Sequence, residues 1–174
     1  MNDQLVKLAA LHRHWVVADA VRVVLRQRSG TPEAEAADAA KYGLDYVAFG
    51  ENASMLGRMQ VWYALLYVVV EGYKELGQSF APLDAVLASA DYVDLLRRFR
   101  NATFHYQADP LSDKLIDFLA KDDSESWIQE LNKQLSEFFM QALPIQSTLD
   151  NLAKTGVPKI PPDSKLNFLV TPRK

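Results

Sequence analysis

Residues 53–76, ASMLGRMQVWYALLYVVVEGYKEL, decide the fold of this chain. Their apolar side chains recur at alternating spacings of four and three, which predicts a long α-helix in a bundle. This seam consists of Met55, Met59, Trp62, Leu66, Val69, Tyr73 and Leu76. A second stripe widens the apolar face, which indicates that this helix is the central one, and it consists of Val61, Leu65 and Val68. Gly77 directly follows the seam and predicts the end of the helix.

The segments before this helix predict two further helices and a loop. Residues 3–28 contain neither proline nor glycine and are too long for a strand, so we expect a helix there. Thr31 and the proline after it predict the capped start of a short polar helix that closes at Gly43. Residues 41–52, KYGLDYVAFGEN, carry a glycine near each end, and we interpret them as an ordered loop in which Asn52 caps the central helix.

The segments after the central helix predict a short element and then a longer helix. Pro82 opens a short segment that extends to about Ala88. Ser89 or Asp91 can cap the next helix. We expect that helix to run to about Gln107, because the residue before the following proline is pushed away from helical geometry.

The C-terminal third predicts one more long helix and a tail. Residues 111–121 fit either a short helix or an extended link, and Asp122 with Glu125 predicts a capping-box start for the helix that follows. The apolar face of that helix consists of Trp127, Ile128, Leu131, Leu135, Phe138, Phe139 and Ala142. We therefore expect an all-α bundle of four to five main helices over residues 1–152 and an irregular, proline-rich, basic tail over residues 153–174.

Composition narrows the classes of function. The formal charge is −3 and the pI about 5.6, which argues against a general polyanion binder, because such affinity comes from many neutralised phosphates. The sequence has no cysteine, so disulfides and thiolate chemistry are excluded. No uninterrupted apolar run approaches the ~18 residues of a membrane span, and Asp3 and Lys7 make the start a poor signal peptide. We expect a cytoplasmic protein without membrane association.

Most of the polar residues give only weak signals for chemistry. His12 and His14 lie on different faces of a helix, so they do not form the i, i+4 pair of a helical metal site. Glu71, with Lys74 three residues later, is interpreted as an exposed ion pair. Phosphate-binding glycine loops and serine elbows are missing from the sequence. We therefore expect neither a metal nor an organic cofactor.

The strongest candidate for a site is the stretch from Arg97 to Gln107, RRFRNATFHYQ. On a helix, a core-facing stripe would consist of Val93, Leu96, Phe99, Thr103 and Tyr106. A polar stripe beside it would consist of Asp94, Arg98, Asn101 and His105, joined by Arg97. On the same helix, Arg100 lies between Leu96 and Phe104, which are four residues to either side, and so at the edge of the buried stripe. A charge in that place needs a partner or a subunit interface.

The six residues Arg100-Asn101-Ala102-Thr103-Phe104-His105 are similar to the signature of the HEPN superfamily. That signature is an arginine, four to six further residues and a histidine, often with asparagine directly after the arginine. The resemblance implies a HEPN-like all-α bundle that pairs two-fold, so that the two copies of the motif meet in a cleft. Members are commonly metal-independent endoribonucleases of toxin or defence systems, and others only bind or scaffold.

For this chain the resemblance implies catalytic roles for Arg100, Asn101 and His105 in RNA cleavage. His105 would transfer the proton of the 2′-hydroxyl, Arg100 would stabilise the phosphorane charge, and Asn101 would orient the phosphate or the histidine. We assign substrate contacts to Arg97, Arg98 and Tyr106. Because Arg100 and His105 are about 140° apart around a regular helix, these roles require a distorted helix or a homodimer. An antitoxin or another protein partner is a further expectation.

Non-catalytic alternatives remain open beside this hypothesis. Arg100 and Asn101 also fit a structural role as hydrogen-bond partners, with His105 capping a helix end. Gln107 stands where many HEPN toxins have tyrosine, and the low basicity of the chain favours a helical dimer that binds a protein or a nucleic acid. A bundle that binds a small ligand is the third alternative.

Overall fold

The regular structure of the described residues, 3–28, 30–110 and 112–155 of a computed structural model, is entirely α-helical. This confirms the predicted all-α class. The helices in these ranges are α1 (Asp3–Val23), α2 (Pro32–Tyr42), α3 (Leu44–Glu75), α4 (Ala81–Leu87), α5 (Ala90–Phe104), α6 (Asp113–Leu119), α7 (Ser124–Ala142) and α8 (Ile145–Thr155). The ambiguous residues 111–121 contain α6, and α8 continues beyond the expected domain end at residue 152. The rest of the predicted tail, residues 156–174, lies outside the described ranges.

The central position predicted for residues 53–76 is confirmed. Helix α3 packs against α1, α2 and α5, while α4, α6 and α8 pack against α7. The middle of the seam is fully buried, since Leu66 and Val69 have no exposed area and Tyr73 is 2% exposed. Gly77 has a φ of 60° and follows the helix end, as expected. Helix α1 crosses close to α3 at Gly72. A β-carbon at this position would lie only 2.5 Å from Leu11 Cδ1.

The second apolar stripe of α3 was predicted on the wrong side of the seam. Val61 is 37% exposed and Leu65 and Val68 are half-buried, whereas the buried stripe beside the seam consists of Tyr63, Tyr67 and Val70. The reason is the position of α5, which packs on that flank and brings Phe99 to 5.8 Å from the Tyr63 ring. A bundle helix is buried where its neighbours lie, which the periodicity of one helix does not specify.

The predicted loop over residues 41–52 is wrong. Helix α2 is capped by the Thr31 hydroxyl, as expected, but only Gly43, with a φ of 91°, separates it from α3. Asn52 therefore lies inside a helix and does not cap one. Extending a helix that is already formed avoids the nucleation cost, which explains why Gly50 does not interrupt α3.

Helix α1 ends five residues before the predicted boundary at residue 28. Tight i to i−3 hydrogen bonds replace the helical pattern at Val24 and Leu25. The Arg58 guanidinium of α3 donates to the Val24 carbonyl over 2.8 Å, which satisfies the end of α1 and holds it against α3. The early end of α1 matters for the site described below.

Two helix boundaries in the second half also differ from the prediction. Helix α5 ends at Phe104 instead of about Gln107, which leaves Tyr106 93% exposed and outside the core stripe. Helix α7 begins after Asp123, which has a φ of 59° and makes no side-chain cap, so the capping box is wrong. The Tyr92 hydroxyl donates to the Asp122 carbonyl over 2.6 Å and helps to hold this turn.

Among the described helices, α3 alone is long and apolar enough to cross a membrane by length and composition. A buried core helix has the same two properties, and the middle of α3 is covered by other helices. The predicted cytoplasmic location stays a prediction.

Candidate functional site

The Arg100 side chain is held inside the fold by three neighbours. Its guanidinium forms an ion pair of 2.6 Å with Glu71 Oε2, donates to Asn101 Oδ1 over 3.0 Å and lies 5.4 Å from the centre of the Tyr67 ring. The partner that Arg100 was expected to need is therefore Glu71. This also corrects the pairing of Glu71 with Lys74.

The other two arginines of the motif have carboxylate partners as well. Arg97 pairs with Asp94 over 2.7 Å within α5, and Arg98 pairs with Asp117 of α6 over 2.8 Å. Because these pairs are exposed, each stabilises the fold by at most about 1 kcal/mol. A phosphate that binds either guanidinium has to displace a carboxylate, at a cost of no more than that same ~1 kcal/mol.

His105 does not lie on the face of a helix. It forms the C-cap of α5 with an extended backbone, and its N–H donates to the Asn101 carbonyl over 3.1 Å. Its side chain is exposed, and its carbonyl accepts a hydrogen bond of 3.0 Å from the Gln107 side chain. The predicted polar stripe therefore ends at Asn101, whose side-chain oxygen is occupied by Arg100.

The structure thus brings some of the predicted site residues together and separates others. Arg100 and Asn101 are in contact, Arg97 and Arg98 lie on α5 in their own ion pairs, and His105 and Tyr106 extend into solvent beyond the helix. This is the geometry of the structural role, with hydrogen bonds at Arg100 and Asn101 and a cap at His105. Catalytic roles for these residues stay a prediction.

A second candidate site is a groove of about 1240 Å³ between α1, α3 and α7. Its volume exceeds the roughly 300–1,000 Å³ that is usual for ligand pockets. Apolar side chains form much of its lining, among them Trp15, Leu25, Met55, Met59 and Trp62. The groove exists because α1 ends at Val23, which leaves this part of α3 without a covering helix.

Three polar atoms of the groove lining are buried and have no hydrogen-bond partner among the described residues. They are the indole nitrogens of Trp15 and Trp62 and the side-chain oxygen of Asn132. Leaving such a group unpaired costs about 1–3 kcal/mol. These atoms are covered by their neighbours, so a ligand in the groove reaches them only after the side chains shift. Because an indole nitrogen only donates and an amide oxygen only accepts, such a ligand needs acceptors and a donor.

The rim of the groove carries charges of both signs. Helix α1 contributes Arg22, which pairs with Asp19 over 2.7 Å, and α7 contributes Glu125 and Glu137. Burial, reinforced by the negative charge of Glu125, raises the pKa of the Tyr63 hydroxyl to about 12. Tyr63 therefore lines the groove as a neutral phenol.

His12 supports the wall of the groove from behind Trp15. Its ring stacks at 5.7 Å on Trp15 and meets Phe139 of α7 edge-on at 5.0 Å. Partial burial lowers the pKa of His12 below its usual value of 6.5. The neutral imidazole is therefore the form that the fold favours.

Sequence patterns did not identify the groove. Trp62 was assigned to the core seam, and that assignment concerns packing alone. The useful signal was the indole nitrogen, because a deeply buried tryptophan needs an acceptor. Only the three-dimensional structure reveals that these acceptors are missing among the described residues.

Comparisons with protein families, with curated proteins and with solved structures found no match for this chain. Within the described residues, no cluster of three or more His, Cys, Asp or Glu side chains could hold a metal ion.

We predict that the stability of the protein depends on pH through His12. Because the pKa of His12 is lower in the folded chain, the unfolded chain takes up more protons near pH 6.5, so stability is retained above that value and lost as the pH falls through it. Denaturant unfolding between about pH 7.5 and about pH 5.5 should show a smaller loss for His12→Gln than for the parent.

His14→Gln is the matched control, since His14 is an exposed neighbour on the same helix. This variant should lose as much stability as the parent. An equal loss in His12→Gln and the parent would contradict the assignment.

Proposed function

We propose that this chain is a non-catalytic helical binding protein whose ligand occupies the groove between α1, α3 and α7. One observation carries the proposal: three residues that line the groove, Trp15, Trp62 and Asn132, each have a buried polar side-chain atom without a partner among the described residues. The Trp62 side chain is the most telling, because the residue is only 5% exposed while its indole N–H lacks an acceptor.

The chemistry of the lining defines the class of ligand. Two indole donors require acceptors on the ligand, and the Asn132 oxygen requires a donor. The surrounding methionine, leucine and aromatic side chains favour a flat apolar body. A heteroaromatic carboxamide has all of these features, since its carbonyl accepts from an indole and its N–H donates to Asn132.

We predict that Trp62→Phe weakens binding of a heteroaromatic carboxamide by about tenfold or more, because it removes one hydrogen bond of roughly 1–3 kcal/mol from a buried donor. Ligand-observed NMR with a library of such carboxamides identifies binders, and titration gives the affinities for the parent and the variant.

Trp127→Phe is the matched control, because the Trp127 indole already donates to the Val86 carbonyl over 3.3 Å. This variant should bind as tightly as the parent. A library without any binder, or equal weakening by the two substitutions, would count against the groove as the binding site.

A metal-independent endoribonuclease of toxin or defence type is the second candidate function. It is supported by the contact between Arg100 and Asn101 and by the exposed His105 at the end of the same helix. Arg100 also has one buried donor, Nε, without a partner among the described residues. In this candidate mechanism, an RNA phosphate replaces Glu71 on the guanidinium.

Glu71→Gln separates the two candidates in an RNA cleavage assay with chelator present. A ribonuclease should cleave about tenfold faster after this substitution, because the carboxylate that competes with phosphate is removed. Lys74→Gln, which changes a charge one turn further along α3, should leave the rate unchanged, and Arg100→Ala and His105→Ala should abolish cleavage. The binding-protein proposal predicts intact RNA with the parent and with every variant, and chelator-resistant cleavage that requires both Arg100 and His105 would overturn it.

A further inference from the structure

The first part of α3 and the whole of α2 lie outside the buried core. We call α2 together with residues 44–56 of α3 the arm. In the described structure, α2 contributes no buried residue, and the first buried residue of α3 is Trp62. The arm is therefore a pair of helices that has helix contacts but no core of its own.

One side of the arm is rich in large exposed apolar residues, which we call the arm face. Its members, with their exposed fractions, are Leu44 (78%), Phe49 (73%), Met55 (44%) and Leu56 (42%). Leu44, Ala48, Asn52, Met55 and Met59 continue the helical spacing of the buried seam toward the start of α3. Through Leu44 and Met55, the arm face is continuous with a surface that other helices cover further along α3.

The geometry points to a second copy of this chain as the cover of the arm face, with the two α3 helices antiparallel across a two-fold axis near Asn52. The exposed area supports this occupant. At roughly 150–250 Å² per large side chain, the exposed fractions amount to roughly 450 Å² per copy, close to the non-polar share of the ~800 Å² that each partner buries in a standard interface.

The polar residue in the middle of the stripe supports the two-fold arrangement. Asn52 is exposed between Phe49 and Met55, and an amide can donate to and accept from its own copy across a two-fold axis. A single asparagine in an apolar helix seam is a common device for fixing register. A partner with an entirely apolar helix would leave this amide unpaired.

The groove gives a third argument for the second copy. Met55 and Leu56 belong both to the groove lining and to the arm face. An arm packed on these residues therefore covers the end of the groove nearest the arm and contributes side chains to it. The dimer explains how a groove too large for one small ligand becomes a smaller site that is closed at the end nearest the arm.

Sedimentation equilibrium of the full chain, without any added ligand, tests this inference. We expect a dimer in the parent and a dissociation constant roughly 100-fold higher or more in Leu56→Glu, because each interface would bury two unpaired carboxylates. Phe49→Glu should have the same effect, and circular dichroism should show that both variants keep their helical content.

Tyr106→Glu is the matched control, since Tyr106 is exposed near the Arg100 motif and far in sequence from the arm. This variant should remain dimeric. A monomeric parent, a dimer that survives both arm substitutions, or a dimer that Tyr106→Glu dissociates would overturn the inference. The sedimentation experiment contains no ligand. A failure of the dimer inference is therefore distinguishable from a failure of the proposed binding function, which the carboxamide titration tests separately.

Discussion

Unequal burial along α3 is the constraint on which the rest of this structure depends. Between Trp62 and Tyr73 the seam is buried by the helices around it, and this packing fixes the positions of α1 and α5. Toward Leu44 the same helix continues beyond α1, which ends at Val23. The groove and the arm face both follow from a central helix of 32 residues in a bundle whose other helices are shorter.

The electrostatics of the Arg100 motif follow from residues on other helices. Glu71 is 29 positions away in sequence and Asp117 belongs to α6, yet they pair with Arg100 and Arg98. With Asp94 beside Arg97, each guanidinium of the motif has a neighbouring carboxylate. These carboxylates largely neutralise a polar stripe that looked suited to phosphate. The spacing of arginine and histidine in the sequence does not reveal such partners.

The predictable parts of the fold are those that local chemistry decides. The seam predicted α3, and Thr31 with the proline after it predicted the start of α2, because periodicity and capping act within one helix. Two of the errors occurred where distant residues decide: α1 ends where Arg58 binds its last turn, and the buried flank of α3 is set by α5. The groove combines residues from three helices, so no single pattern in the sequence contained it.

The central claim is that this protein acts through the uncovered part of α3 and not through the Arg100 motif. Because the sequence has no cysteine, one spin label can be placed at Ala53→Cys, exposed beside Asn52, or at Tyr106→Cys without background. Pulsed dipolar spectroscopy should give a short intermolecular distance for Ala53→Cys, set by helices about 8–10 Å apart plus the label arms, and a clearly longer one for Tyr106→Cys. A short distance for Tyr106→Cys with a long or absent one for Ala53→Cys would contradict the claim.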